Sequence, residues 1–180
     1  MTAPDQRRGL IDRRRVADAL AALPPDPEAA AATLRAALDE GRAEIARRLT
    51  LAPDSGRAVA QANAQLHEQV VRLAFDFARD RLLDAPLDGP VALLGLGGNG
   101  RGEMAPYSVL DLMLLTPAEP TPAAAALAEH LFGLLWALGI KLGHAVRSLD
   151  QSVADARADM TVRTALLEAR WLWGDTALAD

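Results

Sequence analysis

The sequence contains no cysteine, which excludes disulfides and thiolate metal sites outright. Aromatic residues fill only 4% of the 180 positions, so a core drawn from the 51% hydrophobic positions has to consist mostly of Leu, Ala and Val. That composition leans helical, because Ala and Leu are among the best helix formers. No uninterrupted apolar run approaches the roughly 18 residues of a membrane span, which argues against a membrane protein. There is no basic excess either. A net charge of −5 weighs against a general nucleic-acid binder, which would show a basic face. The start of the chain carries Arg7, Arg8, Arg13, Arg14 and Arg15 without a following apolar stretch, so it does not read as a secretory signal. The expectation is a soluble cytoplasmic protein with one good core and a helical appendage.

Two stretches differ in character. Residues 1–89 read as a helical segment. A short helix over 12–22 stops at Pro24-Pro25-Asp26-Pro27, and a long Ala-rich helix then runs from Asp26 or Pro27 to about Leu49. After Ala52-Pro53-Asp54-Ser55-Gly56 comes a third helix, with Asp54 or Ser55 as N-cap. Its Val59, Leu66, Val70, Leu73 and Phe77 recur with a 3.6-residue period. From Pro90 the period changes. Val91 to Leu96 and Val109 to Leu115 are short apolar runs bounded by Pro and Gly, as buried strands are. A helix over 123–138 presents Leu127, Leu131, Leu134, Leu135 and Leu138 on one face, and Gly139 ends it. A third strand over 140–149 and a helical stretch over 150–173 complete residues 90–180, read as an α+β unit.

The segment Gly95-Leu96-Gly97-Gly98-Asn99-Gly100-Arg101-Gly102-Glu103 carries the most information. Five glycines in eight residues, directly after a buried strand, call for positive φ or for very close approach of another group. N–H groups exposed in such a turn can cradle a phosphate, and a plain tight turn is the simpler alternative. A P-loop is excluded, because no Gly-Lys is followed by Ser or Thr. Gly95, Gly97 and Gly100 satisfy G-x-G-x-x-G, but that dinucleotide fingerprint needs a long helix next. Pro106 interrupts any such helix within a few residues, so the fingerprint is set aside.

A third pattern fits. The run from Leu96 to Ser108, followed by a strand carrying Asp111, resembles the nucleotidyltransferase superfamily. Within it the chain is most similar to the N-terminal transferase domain of the protein-PII uridylyltransferase/uridylyl-removing family. The likeness continues through Leu134–Gly139, Gly143–Ser148 and Arg163–Arg170, and is looser over the N-terminal helices. The resemblance implies a small mixed sheet with flanking helices. It implies nucleotide phosphates held at Gly97, Gly98, Gly100, Arg101 and Gly102, and Mg²⁺ as cofactor. It also implies UTP as donor and a tyrosine of the PII signal protein as acceptor in nitrogen regulation. Further domains of the full-length family are not in these residues, so a fragment truncated at the C-terminus is expected.

In that superfamily two carboxylates spaced Asp-x-Asp on the next strand bind the metal, because strand positions i and i+2 share a face. The matching positions here are Val109 and Asp111. Asp111 is the expected catalytic and metal-binding residue. A carboxylate in that apolar run is costly unless paired, hydrogen-bonded or metal-bound, and a cap by turn N–H groups is the alternative. Val109 supplies no oxygen, so impaired transfer is expected. A non-catalytic nucleotide-binding or interaction module is the rival reading. Asn99 stands where the family usually has an aromatic. Arg101 is expected to touch phosphate or to bridge to Glu103. His144 is expected to be a strand residue with a hydrogen-bond partner, and His67 and His130 to lie on helix surfaces.

Overall fold

The computed structural model describes residues 9–53 and 55–180. Three helices come first: α1 (Arg13–Ala21), α2 (Pro27–Leu51) and α3 (Gly56–Phe77), the last widening into a π-helical turn over Ala78–Leu82. Asp26 starts α2 as expected. Its carboxylate accepts from Glu28 N at 2.9 Å, and Pro27 occupies the first turn, where a missing N–H costs nothing. Ser55 stands at the N-cap of α3, but its hydroxyl donates to the Ala52 carbonyl rather than capping the helix. The other candidate cap, Asp54, lies outside the described residues.

Beyond these helices lie β1 (Ala92–Gly95), the one-turn α4 (Gly97–Gly100), β2 (Leu110–Thr116), α5 (Pro122–Ala137) and β3 (Leu142–Ser148). Next are α6 (Leu149–Ala158), α7 (Met160–Leu167) and β4 (Arg170–Gly174). The strand order is β3-β2-β1-β4. β1 runs antiparallel to both neighbours, while β2 and β3 are parallel and joined through α5. The sheet is mixed and flanked by helices, the α+β arrangement expected. Gly139 takes φ +74° just past α5, the left-handed cap that stops a helix without a Cβ penalty.

Alternation along the strands divides the core. Leu93, Leu110, Leu112 and Leu114 face α2, α3 and α5, and join Leu34, Leu38, Leu66, Phe75, Leu127 and Leu131 in one buried cluster. Ala92, Leu94, Met113 and Leu115 face the other way, under Leu96, Leu166, Ala169 and Trp171. Asp111 continues the row of Met113 and Leu115 on that second face.

Two expectations change. The stretch 150–173 is not continuous helix: Asp159 ends α6 and caps α7, accepting from Thr161 N at 2.6 Å, and the chain then becomes a strand. Arg170-Trp171-Leu172-Trp173 alternates, with Leu172 fully buried in the main cluster, and pairing with β1 satisfies the free edge of that strand. The third strand is shorter than 140–149, because Leu149 already belongs to a helix whose capping box is Ser148 with Gln151. Among the described residues no helix is long and apolar enough to cross a membrane.

Candidate functional site

β1 delivers the chain to Leu96, whose N–H donates to the Asp111 carbonyl at 2.9 Å. Gly97 then takes φ +53°, a conformation strained for any residue with a Cβ. The backbone coils through a single turn. Gly100 N donates to Leu96 O at 3.0 Å, Arg101 N to Gly97 O at 3.0 Å, and Glu103 N to Gly98 O at 2.8 Å. That ladder leaves out the N–H groups of Gly97, Gly98 and Asn99, the unsatisfied donors of any helix start.

The turn is tied down from several sides. Arg101 pairs with Glu168 at 2.5 Å rather than with Glu103. Glu103 pairs with Arg57 of α3 at 2.9 Å. Met104 N donates to Ala60 O at 3.0 Å, and Asn63 Nδ2 donates to the carbonyls of Met104 and Ala105. Arg170 donates to the carbonyls of Gly100 and Asn99. Asn99 is 1% exposed, and its amide oxygen and nitrogen have no partner among the described residues.

Asp111 sits beside this turn. A Cβ built on Gly97 would lie 3.4 Å from Asp111 Oδ2. On the other side Gly143, the register partner of Asp111 on β3, has no side chain where the carboxylate lies. A Cβ there would collide with Asp111 Oδ1 and stand 3.6 Å from Val109 Cγ1. Val109 and Asp111 therefore share one face, as their spacing predicts, although β2 itself begins at Leu110. Asp111 is half-buried, and burial pushes its carboxyl above the ordinary range. No group among the described residues donates to that carboxylate, so the alternative of a turn N–H cap is not what the structure forms.

The donor set for a hard cation is small. Asp111 offers one open carboxylate, Val109 offers carbon only, and among the described residues no three His, Asp or Glu side chains converge. These residues fit one metal contact and do not fit a two-carboxylate site.

His67 is 6% exposed, contrary to a helix-surface position, because both flanks of α3 are covered. Its Nδ1 lies 2.8 Å from the Asn63 carbonyl, and burial holds its pKa below the ordinary histidine value. It lines a cleft of about 400 Å³ with Arg42, Val59, Tyr107 and Lys141, which includes neither Asp111 nor the glycines. His144 is in β3 as expected, but in place of the expected hydrogen-bond partner its ring has aromatic neighbours, with ring centres 4.7 Å from that of Phe132 and 5.0 Å from that of Trp136. His130 is half-buried on α5. Gly143, Glu68, Glu168 and Arg170 gain their importance only from pairings across the fold, which local sequence patterns do not signal.

The sequence profile of a family described as "Putative nucleotidyltransferase DUF294" matches residues 40–147. The chain is 42% identical, over 97% of its length, to a bifunctional uridylyltransferase/uridylyl-removing enzyme of Novosphingobium aromaticivorans. It is 40% identical, over 99%, to the enzyme of the same name from Rhodospirillum rubrum, and 38% identical, over 96%, to that of Azospirillum brasilense. It covers 20%, 20% and 19% of those proteins, so it spans about a fifth of the length of the curated relatives it matches.

Proposed function

Because this chain belongs to the DUF294 nucleotidyltransferase family, we propose that Gly97, Gly98, Gly100, Arg101 and Gly102 hold nucleotide phosphates while Asp111 is the catalytic and metal-binding carboxylate. The observation that carries this reading is the contact geometry at Gly97. A glycine turn with three N–H groups outside its ladder lies against an open carboxylate that has no donor among the described residues. Relatives named as uridylyltransferases support UTP as donor, and the sequence likeness supports a tyrosine of PII as acceptor. The tyrosine hydroxyl loses its proton to solvent as its oxygen bonds to the α-phosphorus. The bond from the α-phosphorus to the oxygen bridging to the β-phosphorus breaks, and that oxygen leaves with pyrophosphate while UMP stays on the tyrosine. In this reading residues 90–180 form the transferase domain, residues 1–89 support it, and the protein works in the cytoplasm.

Mg²⁺, when bound, would neutralise phosphate charge, and among the described residues Asp111 is the one side chain that would hold it. With Val109 in place of a second carboxylate, metal binding is weak and transfer is greatly reduced. The test is UMP transfer from UTP to PII by this chain and by Val109→Asp. Robust transfer by the unmodified chain would sink the proposed impairment.

Val109 itself favours a second reading, a nucleotide-binding or interaction module without turnover. Titrating UTP with and without Mg²⁺ separates the two. Metal-independent binding without transfer supports the module, whereas metal-dependent binding supports the enzyme.

A further inference from the structure

Arg170 stands where three parts of the molecule meet. It opens β4. Its Nε donates to the Gly100 carbonyl at 3.2 Å, and its terminal nitrogen donates to the Asn99 carbonyl at 3.1 Å. The same nitrogen pairs with Glu68 of α3 at 2.8 Å. Glu68 has a side chain only 16% exposed and also pairs with Arg72. Arg72 in turn donates to the Leu172 carbonyl at 2.8 Å and lies 5.7 and 5.2 Å from the ring centres of Trp171 and Trp173.

Two consequences follow from elementary geometry. A peptide unit is planar, so holding the carbonyl of Asn99 also fixes the direction of the Gly100 N–H, and the Gly100 carbonyl fixes that of Arg101. Those two N–H groups make the bonds that coil the turn. Secondly, a segment so rich in glycine loses more conformational freedom on ordering than any other sequence. It needs restraint from outside, and a guanidinium fork offers several donors in a rigid plane where an ammonium offers a point charge.

We propose that Arg170 is a positioning residue for the phosphate turn, held in place by Glu68, so that the turn's affinity for a nucleotide is set from α3 and β4. The effect on nucleotide affinity rests on the reading of the turn as a phosphate holder. Restraint of the turn backbone does not.

The experiment compares the unmodified chain with Arg170→Gln, Arg170→Lys and Glu68→Gln by two measurements. The first is amide hydrogen exchange without nucleotide. Arg170→Gln speeds exchange at Gly100 to Glu103 about tenfold, the fold-change of losing hydrogen bonds to a charged group, and leaves α2 and α5 unchanged. Arg170→Lys and Glu68→Gln fall between. The second is titration with UTP and with uridine, which has no phosphates. UTP binding weakens about tenfold in Arg170→Gln, and uridine binding does not move. Unchanged turn exchange, or equally faster exchange in α2 and α5, overturns the positioning role. Equal UTP affinity in the unmodified chain and Arg170→Gln overturns it too, and leaves the nucleotide reading standing. A chain that binds no UTP but whose turn amides respond refutes the nucleotide reading and supports the restraint.

Discussion

The backbone from Gly97 to Ala105 and the side chains of Val109 and Asp111 meet at one end of the sheet, held in opposite ways. The turn is anchored by Arg57, Asn63, Arg101 and Arg170, each bonded to a partner on another element. The side chains of Val109 and Asp111 have no such anchors: the Asp111 carboxylate has no donor among the described residues, and Val109 is 49% exposed with no polar atom in its side chain. A turn that holds phosphates, as proposed, needs a rigid array of donors, and the anchors supply that order. A metal ligand needs an oxygen left free of competing donors, and Asp111 has that freedom. Under the proposed reading, the difference teaches that the anion half of the site has its donors in place while the cation half is short of one carboxylate.

The largest expected effect restores that missing half. Val109→Asp puts a second carboxylate on the face of Asp111, and transfer rises on the order of a hundredfold, the kinetic equivalent of roughly 3 kcal/mol of charge stabilisation. Transfer that stays at the level of the unmodified chain would show that the deficit lies elsewhere.

Methyl groups placed on two glycines probe rigidity on each side. A Cβ on Gly100 meets the backbone carbonyls of Glu168 and Gly95, neither of which can swing away. Gly100→Ala is expected to destabilise the fold by about 2–3 kcal/mol, the cost of overpacking, read as a lower urea midpoint. An unchanged midpoint would mean that the turn is looser than its anchors suggest. A Cβ on Gly143 clashes with the end of the Asp111 side chain, which can rotate, and makes only ordinary contact with Val109. Gly143→Ala is expected to cost less than about 1 kcal/mol yet to remove the Mg²⁺-dependent part of UTP binding. A stability loss as large as that of Gly100→Ala would contradict the freedom assigned to Asp111.

The same contrast explains what could be read from the sequence. The turn and its two strands are local features: glycine density, Pro90 and the apolar runs lie within one short stretch, and the structure puts β1 and β2 there. Helices α2 and α5 were legible from period and from Asp26 and Gly139 at their ends, and α3 from its period alone. β4 was not, because its alternation lasts only from Arg170 to Gly174 and follows a helical stretch without a Gly or Pro break. The anchors were illegible for a different reason. Arg170 meets Gly100 across 70 positions and Arg57 meets Glu103 across 46, distances at which no periodicity carries information. His67 was misplaced because α3 is covered on more than its apolar stripe, a consequence of tertiary packing.

The smallest effect tests the charge state of Asp111. Burial raises its pKa in the folded chain, so between the ordinary carboxylate value and the raised one the native state binds more protons than the unfolded state. Stability therefore falls as pH rises through that window, and the penalty persists at neutral pH. Asp111→Asn removes the charge at nearly constant shape, so the variant is expected to be more stable than the unmodified chain at pH 7. Solvent reaches the half-buried group, so the gain stays below about 1 kcal/mol. The two proteins converge as pH falls below about 3, where the aspartate is protonated in both states. Urea midpoints measured from pH 3 to pH 8 resolve the difference. If Asp111→Asn were the less stable protein at pH 7, the carboxylate would have a donor in solution, and the openness on which its metal role depends would be lost.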